Sequence, residues 1–424
     1  MAAHPLSPAR QRGPFRALRS RNFAVLWVGN LLANTGTWMQ QVAEPWLVLR
    51  LSNSPVLLGL DSFMTDAPIW GLILLGGVIA DRYDRRRTAL FFQSIQVICP
   101  VAVVVLLLLG RIHVAVVIGL SLVVGVTDAL SGPAVNALVP SSVPEEDVPS
   151  AVTLNSAQFN LSRVLGPLFA GVAMATLGPI ACFALNATSY APYLLAIYLL
   201  RLPSRPPPPR AAPGTGAATA KRSLLEAVRA VGQKPRLRRA LLTVVVTSLF
   251  GLPILTFAPV LVRDAFGLGA AEFGGALSVF GFGGLMGAAS VMPLRTNRQR
   301  QLLSTFAALG LAALIVAAAL VRSFAIEIVV LFFVGAGMVA SNTAANAVLQ
   351  SSIDGRIRGR VSSLFTLALR GGAPLGSLVT GLVVSRFGVR AALLVNGALA
   401  VACHLVLLAH DRRAALARRA RRAA

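Results

Sequence analysis

Long apolar runs, each about the length of a membrane span, alternate along this chain with short polar segments. A helix needs about 20 apolar residues to cross a hydrocarbon core about 30 Å thick. Twelve such runs are present, and we interpret each as a membrane-spanning helix: 22–49, 55–80, 88–110, 113–138, 149–176, 180–200, 239–263, 270–293, 301–321, 324–350, 360–385 and 389–410. The pattern predicts an all-α polytopic membrane protein.

The chain contains two copies of one large unit. Residues 125–187 align without a gap with residues 335–397, and the identical pairs concentrate on small and amide residues. Examples are Asn136/Asn346, Gly166/Gly376, Gly171/Gly381 and Asn186/Asn396. A period near half the chain length indicates two large copies rather than a solenoid. Because each copy holds six spans, both enter the membrane from the same side and form parallel repeats.

Polar and proline-rich segments divide the chain into four predicted parts. Residues 1–202 form an N-terminal six-helix bundle, and residues 239–411 form a C-terminal six-helix bundle. Residues 203–238 read as a cytoplasmic linker that ends in a short amphipathic helix, since they are rich in proline and then basic. Residues 412–424 form a basic cytoplasmic tail.

Composition and charge support a membrane location and exclude a nucleic-acid binder. The chain is 56% hydrophobic and only 13% charged, with a mean hydropathy of +0.73. Its net charge of +24 is unevenly placed: 31 Lys and Arg residues fall on the side of the termini and six on the other. By the positive-inside rule both termini are cytoplasmic, and the positive charge reflects topology.

The loop between the second and third spans resembles the signature of the major facilitator superfamily, G-x-x-x-D-R-x-G-R-R/K. Asp84 stands where that signature has glycine, and the other fixed positions agree: Gly77, Asp81, Arg82, Arg85 and Arg86. The resemblance implies the superfamily's twelve-helix fold, with Asp81 beside the start of the eleventh helix in a cytoplasmic gate. A carboxylate there would meet the positive end of a helix dipole. We expect Arg82 and Arg86 to pair with the acids of loop 4–5, which are Glu145, Glu146 and Asp147.

Two further segments resemble the bacterial export branch of that superfamily, which includes the enterobactin exporter and macrolide efflux pumps. One runs from Trp38 to Leu49, and the other contains Gly166, Pro167 and Gly171, close to the G-P-x-x-G-G element of antiporters. Small residues let helices approach closely, and proline allows bending. The resemblance implies the bacterial inner membrane as location and export of small organic molecules.

Ionisable residues inside spans indicate the mechanism, because each costs at least about 2–3 kcal/mol at the bilayer centre and is therefore usually functional or paired. Asp66, Asp128, Arg163 and Arg370 lie near mid-span. We expect Asp128 to carry the coupling proton with Arg163 as its partner, and Asp66 to be the second candidate. A static Asp128–Arg163 ion pair is the alternative, and Arg370 is also a candidate cation for an anionic substrate.

The candidates for the substrate cavity are Trp38, Gln41, Glu44, Asp61 and Arg370. Glu44 and Asp61 lie at one depth near the outer face, where vestibule water is an equal alternative for them.

No Walker loop, zinc-spaced Cys/His cluster or nucleophile elbow is present, so we expect no enzyme activity, cofactor or metal. The leading hypothesis is a monomeric secondary transporter that exports drugs, siderophores or secondary metabolites by proton antiport and rocker-switch alternating access. Its partners would be the lipid bilayer, a small-molecule substrate and protons. The alternatives are a nutrient importer or facilitator, and a transport-inactive membrane sensor.

Overall fold

The computed structural model describes residues 15–200, 226, 228–352 and 358–423. Throughout these ranges the regular structure is helical and no strand occurs, and helix occupies each of the twelve predicted spans. Seven helical segments are long and apolar enough to cross a membrane on length and composition alone. This confirms the predicted all-α membrane fold. The boundaries of the two bundles, the linker and the tail stay predictions, and most of the linker lies outside the described residues.

Six helices form the first half of the chain. They are α1 (Arg21–Ser52), α2 in two parts (Pro55–Asp66 and Pro68–Arg82), α3 (Arg85–Leu108), α4 (Val114–Ser141), α5 (Val148–Thr176) and α6 (Ile180–Leu199). Helix α1 ends where Asn53 adopts a left-handed conformation with φ of 50°. Helix α2 begins after Ser54, whose side chain accepts a hydrogen bond from Leu57 N at 3.4 Å.

In the described part of the second half, a short helical segment at residues 228–233 precedes six long helices. Helix α7 (Pro235–Ala265) contains two π-helical turns, Thr247–Gly251 and Leu261–Ala265. It is followed by α8 (Ala270–Ala289), α9 (Asn297–Leu320) and α10 (Phe324–Ser351). The helical segment Arg358–Ala423 is broken at Gly388, where φ is 81°, into α11 (358–387) and α12 (389–423). A positive φ favours glycine, so this residue allows the chain to turn between two spans.

We call helices α1–α6 the first bundle and α7–α12 the second. The terminal face is the membrane face where α1 begins and α12 ends, and the opposite face carries the α1–α2 and α11–α12 turns. Between bundles, α2 packs on α11 and α5 packs on α8. A Cβ at Gly59 of α2 would collide with the backbone of Ser377 in α11, and one at Gly171 of α5 would collide with Gly274 of α8. Trp46 of α1 stacks on Phe273 of α8, with ring centroids 5.5 Å apart. All these contacts lie in the half toward the opposite face, where the bundles are closed together.

Candidate functional site

Three charged side chains from three helices meet where the bundles face each other near mid-membrane. Arg370 of α11 donates from Nη1 to Asp128 Oδ2 of α4 at 2.7 Å. It also donates from Nη2 and Nε to Asp66 Oδ1 of α2, at 3.0 and 3.3 Å. We call Asp66, Asp128 and Arg370 the ion triad. Its arginine comes from the second bundle and both carboxylates come from the first, so the triad links the two.

The ion triad is partly open to solvent. The side chains of Arg370, Asp66 and Asp128 are 37%, 26% and 38% exposed. The close contacts between α2 and α11 lie in the half toward the opposite face. The ion triad therefore lies at the interface of the two bundles, on the terminal side of those contacts.

A helix break and a close helix crossing place the two carboxylates side by side. Asp66 is the last residue of the first part of α2, and Pro68 begins the second part. Proline lacks a backbone donor and cannot continue the hydrogen-bond ladder of a helix interior. On α4, Gly125 lies about one turn before Asp128, and a Cβ at Gly125 would collide with the Thr65 carbonyl of α2. The absence of a side chain at Gly125 thus brings α4 against α2 at the required depth.

Helix α7 positions the arginine through its first π-helical turn. Ser248 in that turn donates from Oγ to Leu369 O at 2.5 Å, one residue before Arg370. A Cβ at Gly372 would be 2.8 Å from Ser248 Oγ, and one at Gly376 would collide with Leu249 O. The π turn and these two glycines set α11 tightly against α7. This contact fixes the height at which Arg370 reaches the first bundle.

The ion triad contains one positive and two negative groups. With all groups ionised, one guanidinium faces two carboxylates and the triad carries a net charge of −1. Arginine presents five donors in a planar fork and can serve both acids at once. A proton added to either carboxylate would neutralise the triad and weaken the charge-assisted contact of that acid with Arg370.

In this structure Asp128 pairs with Arg370 and not with Arg163, so the role of Arg163 as a switching partner stays a prediction. Arg163 of α5 instead lies over the ring of Trp38 in α1, 5.6 Å from its centroid. It also lines a small cavity of about 20 Å³ together with Phe280 of α8 and Val339 of α10. Helix α5 packs mainly on α1 and α8, whereas the long side chain of Arg370 reaches Asp128 from α11.

Glu44 and Asp61 form a second polar cluster, inside the first bundle. Ser121 Oγ of α4 is 2.6 Å from Glu44 Oε1 and 2.6 Å from Asp61 Oδ1. Asp61 is only 4% exposed, so an outer vestibule filled with water does not hydrate it. The sequence interpretation did not include Ser121. The spacing along α4 could have identified it: Ser121 lies seven residues, or about two turns, before Asp128 and therefore on the same face of the helix.

The other two candidates for the substrate cavity, Gln41 and Trp38, are not fully buried. Gln41 is exposed, and together with Glu44 it lines a small cavity inside the first bundle. Trp38 is half-buried between α1 and α5, where Gly166 allows the two helices to touch.

The signature loop between α2 and α3 is held by local contacts. Asp84, the departure from the superfamily signature, is the N-cap of α3 and accepts from Arg87 N at 2.8 Å. Arg86 donates to the Tyr198 carbonyl of α6 and lies over the Tyr198 ring. The expected pairing of Arg86 with loop 4–5 is therefore replaced by a contact with α6. The Asp81 side chain lies outside the described residues, so its gate role stays a prediction, and around Gly77 the structure has open space.

The acids of loop 4–5 are engaged by the N-terminal segment. Arg16 forms ion pairs with Glu146 and with Asp147, both at 3.0 Å. This arginine precedes α1, so it ties the start of the chain to the turn before α5.

The Gly-Pro element of α5 lies where α5 crosses α1 and α8. A Cβ at Gly166 would collide with Trp38 of α1, and one at Gly171 would collide with Ser278 and Gly274 of α8. Ser278 Oγ lies 3.2 Å from the carbonyl oxygen of Pro167. Gly171 and Pro167 thus contact the second bundle directly, in the region where the bundles are closed.

Comparisons with known proteins agree with this architecture. The chain is 27% identical over 373 residues to the multidrug efflux pump Tap of Mycolicibacterium fortuitum, covering 86% of this chain and 89% of that protein. It is 24% identical over 360 residues to the enterobactin exporter EntS of Shigella boydii, covering 85% and 84%. A solved structure with the same fold is the inward-facing, unoccupied form of a bacterial homologue of the human lysosomal transporter Spinster. Its TM-score is 0.68 at 17% identity, over 92% of this chain and 96% of that one.

A family description covers almost the whole sequence. The profile of the transmembrane secretion effector family, within the major facilitator superfamily, matches residues 12–420. The match includes both bundles, the ion triad and the signature loop. The chain is therefore a membrane transporter of the major facilitator fold, and it belongs to the transmembrane secretion effector family.

Proposed function

We propose that this chain is a secondary active exporter of small amphipathic organic molecules, driven by proton antiport across the bacterial inner membrane. Its relatives include a multidrug efflux pump and a siderophore exporter, which supports this substrate class. The excess of Lys and Arg on the terminal face supports a cytoplasmic location for that face. In the proposed orientation a cleft between the bundles opens on the terminal side to accept a substrate from the cell, and the protein works as a monomer with both termini inside.

The observation that carries the proposal is the division of the ion triad between bundles. While the cleft is open to the terminal face, Arg370 contacts both carboxylates, and a guanidinium stabilises their ionised form. Rocking the bundles the other way separates Arg370 from at least one acid. That acid then gains affinity for a proton from the outside. Return to the present arrangement restores the arginine contact and displaces the proton inward, so proton entry is tied to the exporting cycle.

The test is proton-driven transport in proteoliposomes with Asp128→Asn and Asp66→Asn, over a panel of drugs and siderophores. We expect Asp128→Asn to reduce uphill transport at least about tenfold while downhill exchange continues, because a neutral amide does not take up a proton. Asp66→Asn should weaken coupling in the same direction. The matched control is Asp264→Asn, whose carboxylate pairs with Arg263 at 2.6 Å on the opposite face. Full uphill transport by both triad variants would refute the coupling role.

A further inference from the structure

The contacts around Ser121 require more hydrogens than a serine supplies. Ser121 Oγ lies 2.6 Å from Glu44 Oε1, 2.6 Å from Asp61 Oδ1 and 2.9 Å from Val117 O. A hydroxyl carries one hydrogen, whereas an ionised carboxylate only accepts. If both acids were ionised, at least one oxygen–oxygen contact of 2.6 Å would contain no hydrogen. A carboxyl group must therefore supply one.

We propose that Glu44 and Asp61 share one proton across Ser121, forming a proton-binding site that is distinct from the ion triad. One acid is protonated and donates to Ser121 Oγ, and Ser121 donates its own hydrogen to the other acid, which is ionised; the longer contact of 2.9 Å between Ser121 Oγ and Val117 O then contains no hydrogen. A hydroxyl can do both because it is donor and acceptor. Exchanging the roles of the two acids needs only a proton shift along this chain.

A hydrogen-bond chain fixes the orientation of Glu44 in this site. Asn186 Nδ2 of α6 donates to Gln40 Oε1 at 2.6 Å, and Gln40 Nε2 donates to Glu44 Oε2 at 3.0 Å. Glu44 Oε2 is thus an acceptor, which leaves Oε1 to face Ser121. In this arrangement Asn186 Oδ1 has no hydrogen-bond partner, although the residue is only 5% exposed. A buried acceptor without a donor points to a donor that occupies the adjacent space.

That space is a cavity of about 50 Å³, lined by both Glu44 and Asn186. At about 10–15 Å³ for each water, it has room for roughly three water molecules. The other titratable groups that line it are Cys99 of α3 and Tyr190 of α6, and its lining includes no Lys, Arg or His. Water there would satisfy Asn186 Oδ1 and deliver the proton to Glu44. Thr65, which precedes Asp66, also lines this cavity and brings it near the ion triad.

The two sites differ in how they respond to conformational change. Every residue of the Glu44–Asp61 site belongs to the first bundle, whereas the ion triad is split between bundles. The shared proton is thus retained while the bundles rock. As an element of transport this site rests on the proposed antiport, but its proton can be detected without any transport assay.

The experiment is infrared spectroscopy of the full-length protein in lipid vesicles, in sodium-free buffer without substrate. The difference spectrum, wild type minus the double variant Glu44→Gln/Asp61→Asn, should contain the bands of one protonated carboxylic acid and of one carboxylate, in equal amounts. The Ser121→Ala variant should keep the acid band but shift its frequency, because the hydroxyl bond is gone. The control Asp66→Asn/Asp128→Asn should leave the acid band unchanged.

Three results would overturn the shared proton. A difference spectrum with carboxylate bands alone would mean that no proton is bound, and one with acid bands alone would mean two. Loss of the acid band when Na⁺ is added at constant pH would assign the site to a metal cation. The antiport proposal and the shared proton can fail independently. Transport without proton coupling would refute antiport but leave the acid band in place. Absence of the acid band would refute the shared proton but leave the transport assays of the ion-triad variants unaffected.

Discussion

At the scale of single residues, the two mid-membrane arginines make different kinds of contact. Arg370 makes charge-assisted hydrogen bonds to two carboxylates of the other bundle. Arg163 lies over an indole ring, and in the described part of the chain it forms no salt bridge. A guanidinium over an aromatic face is stabilised by the ring quadrupole and by stacking, which suits a packing role. The charge that couples the bundles is therefore that of Arg370.

This difference predicts different results for the same arginine-to-lysine substitution at the two positions. Arg370→Lys should lower proton-driven uphill transport about tenfold or more, because an ammonium is a point charge and lacks the fork that reaches both acids. Arg163→Lys keeps a cation near Trp38 and should leave coupling nearly unchanged. The measurement is uphill transport driven by a pH gradient in proteoliposomes, normalised to downhill exchange by the same variant. Normal coupling in Arg370→Lys together with loss in Arg163→Lys would reverse the assignment.

The sequence could identify the members of the ion triad but not their pairing. Asp66, Asp128 and Arg370 are recognisable because charges near mid-span are costly. Arg163 and Arg370 lie at similar depth, so depth does not distinguish them as partners of Asp128. Arg163 is favoured only because it is nearer to Asp128 in sequence. The choice depends on which arginine side chain reaches Asp128 in the folded protein, and that is a property of tertiary structure. Ser121 is harder to identify, since a serine in a membrane helix usually bonds its own backbone, and Val117 O lies 2.9 Å from its Oγ.

At the scale of helices, closure toward the opposite face depends on a crossing of two glycines. Gly171 of α5 and Gly274 of α8 lie in direct contact, and a Cβ on either would be too close to the other helix. Small residues at such crossings let backbones approach, which is the main source of packing between membrane helices. By contrast, a Cβ at Gly275, the next residue on α8, would have no atom within 4 Å.

We therefore predict that Gly171→Ala and Gly274→Ala shift the population away from the present conformation by several-fold. The added methyl group prevents close approach of α5 and α8 toward the opposite face, so the bundles spend more time apart there. Gly275→Ala is the matched control and should leave the population unchanged. Distances between spin labels on the outer ends of α5 and α8 measure the effect. Equal distance distributions in all three variants would show that this crossing does not control closure.

The element boundaries show which local features the sequence makes visible. The twelve spans are readable from hydropathy, and the start of α9 is readable from Thr296 and Gln299, which form reciprocal side-chain bonds to each other's backbone N–H. The interruption of α2 at Ala67 has a visible cause in Pro68. A proline, Pro253, also follows the π turn of α7 at Thr247–Gly251, and contacts with α11 accommodate the extra residue of that turn.

At the scale of the whole molecule, the bundles make their close contacts toward the opposite face. The Trp46–Phe273 stack joins α1 to α8 in the closed half, with an interplanar angle of 18°. Gly381 of α11 adds to this closure, since a Cβ there would be 2.7 Å from Pro55 O of α2. Alternating access requires that these contacts break in each cycle. The closed half is therefore a gate, and holding it shut should stop transport without unfolding either bundle.

The prediction is made for Trp46→Cys/Phe273→Cys in a background without Cys99, Cys182 and Cys403, bridged by a short bifunctional thiol reagent. We expect transport to fall to the background rate on bridging and to return on reduction. The control is Thr256→Cys/Ser377→Cys, whose hydroxyl oxygens are 3.1 Å apart within the second bundle. Bridging that pair should leave transport intact, because the two residues move together. Wild-type transport by the bridged Trp46/Phe273 variant would exclude rocking of the bundles about the ion triad, since the gate would then stay shut while substrate still crossed.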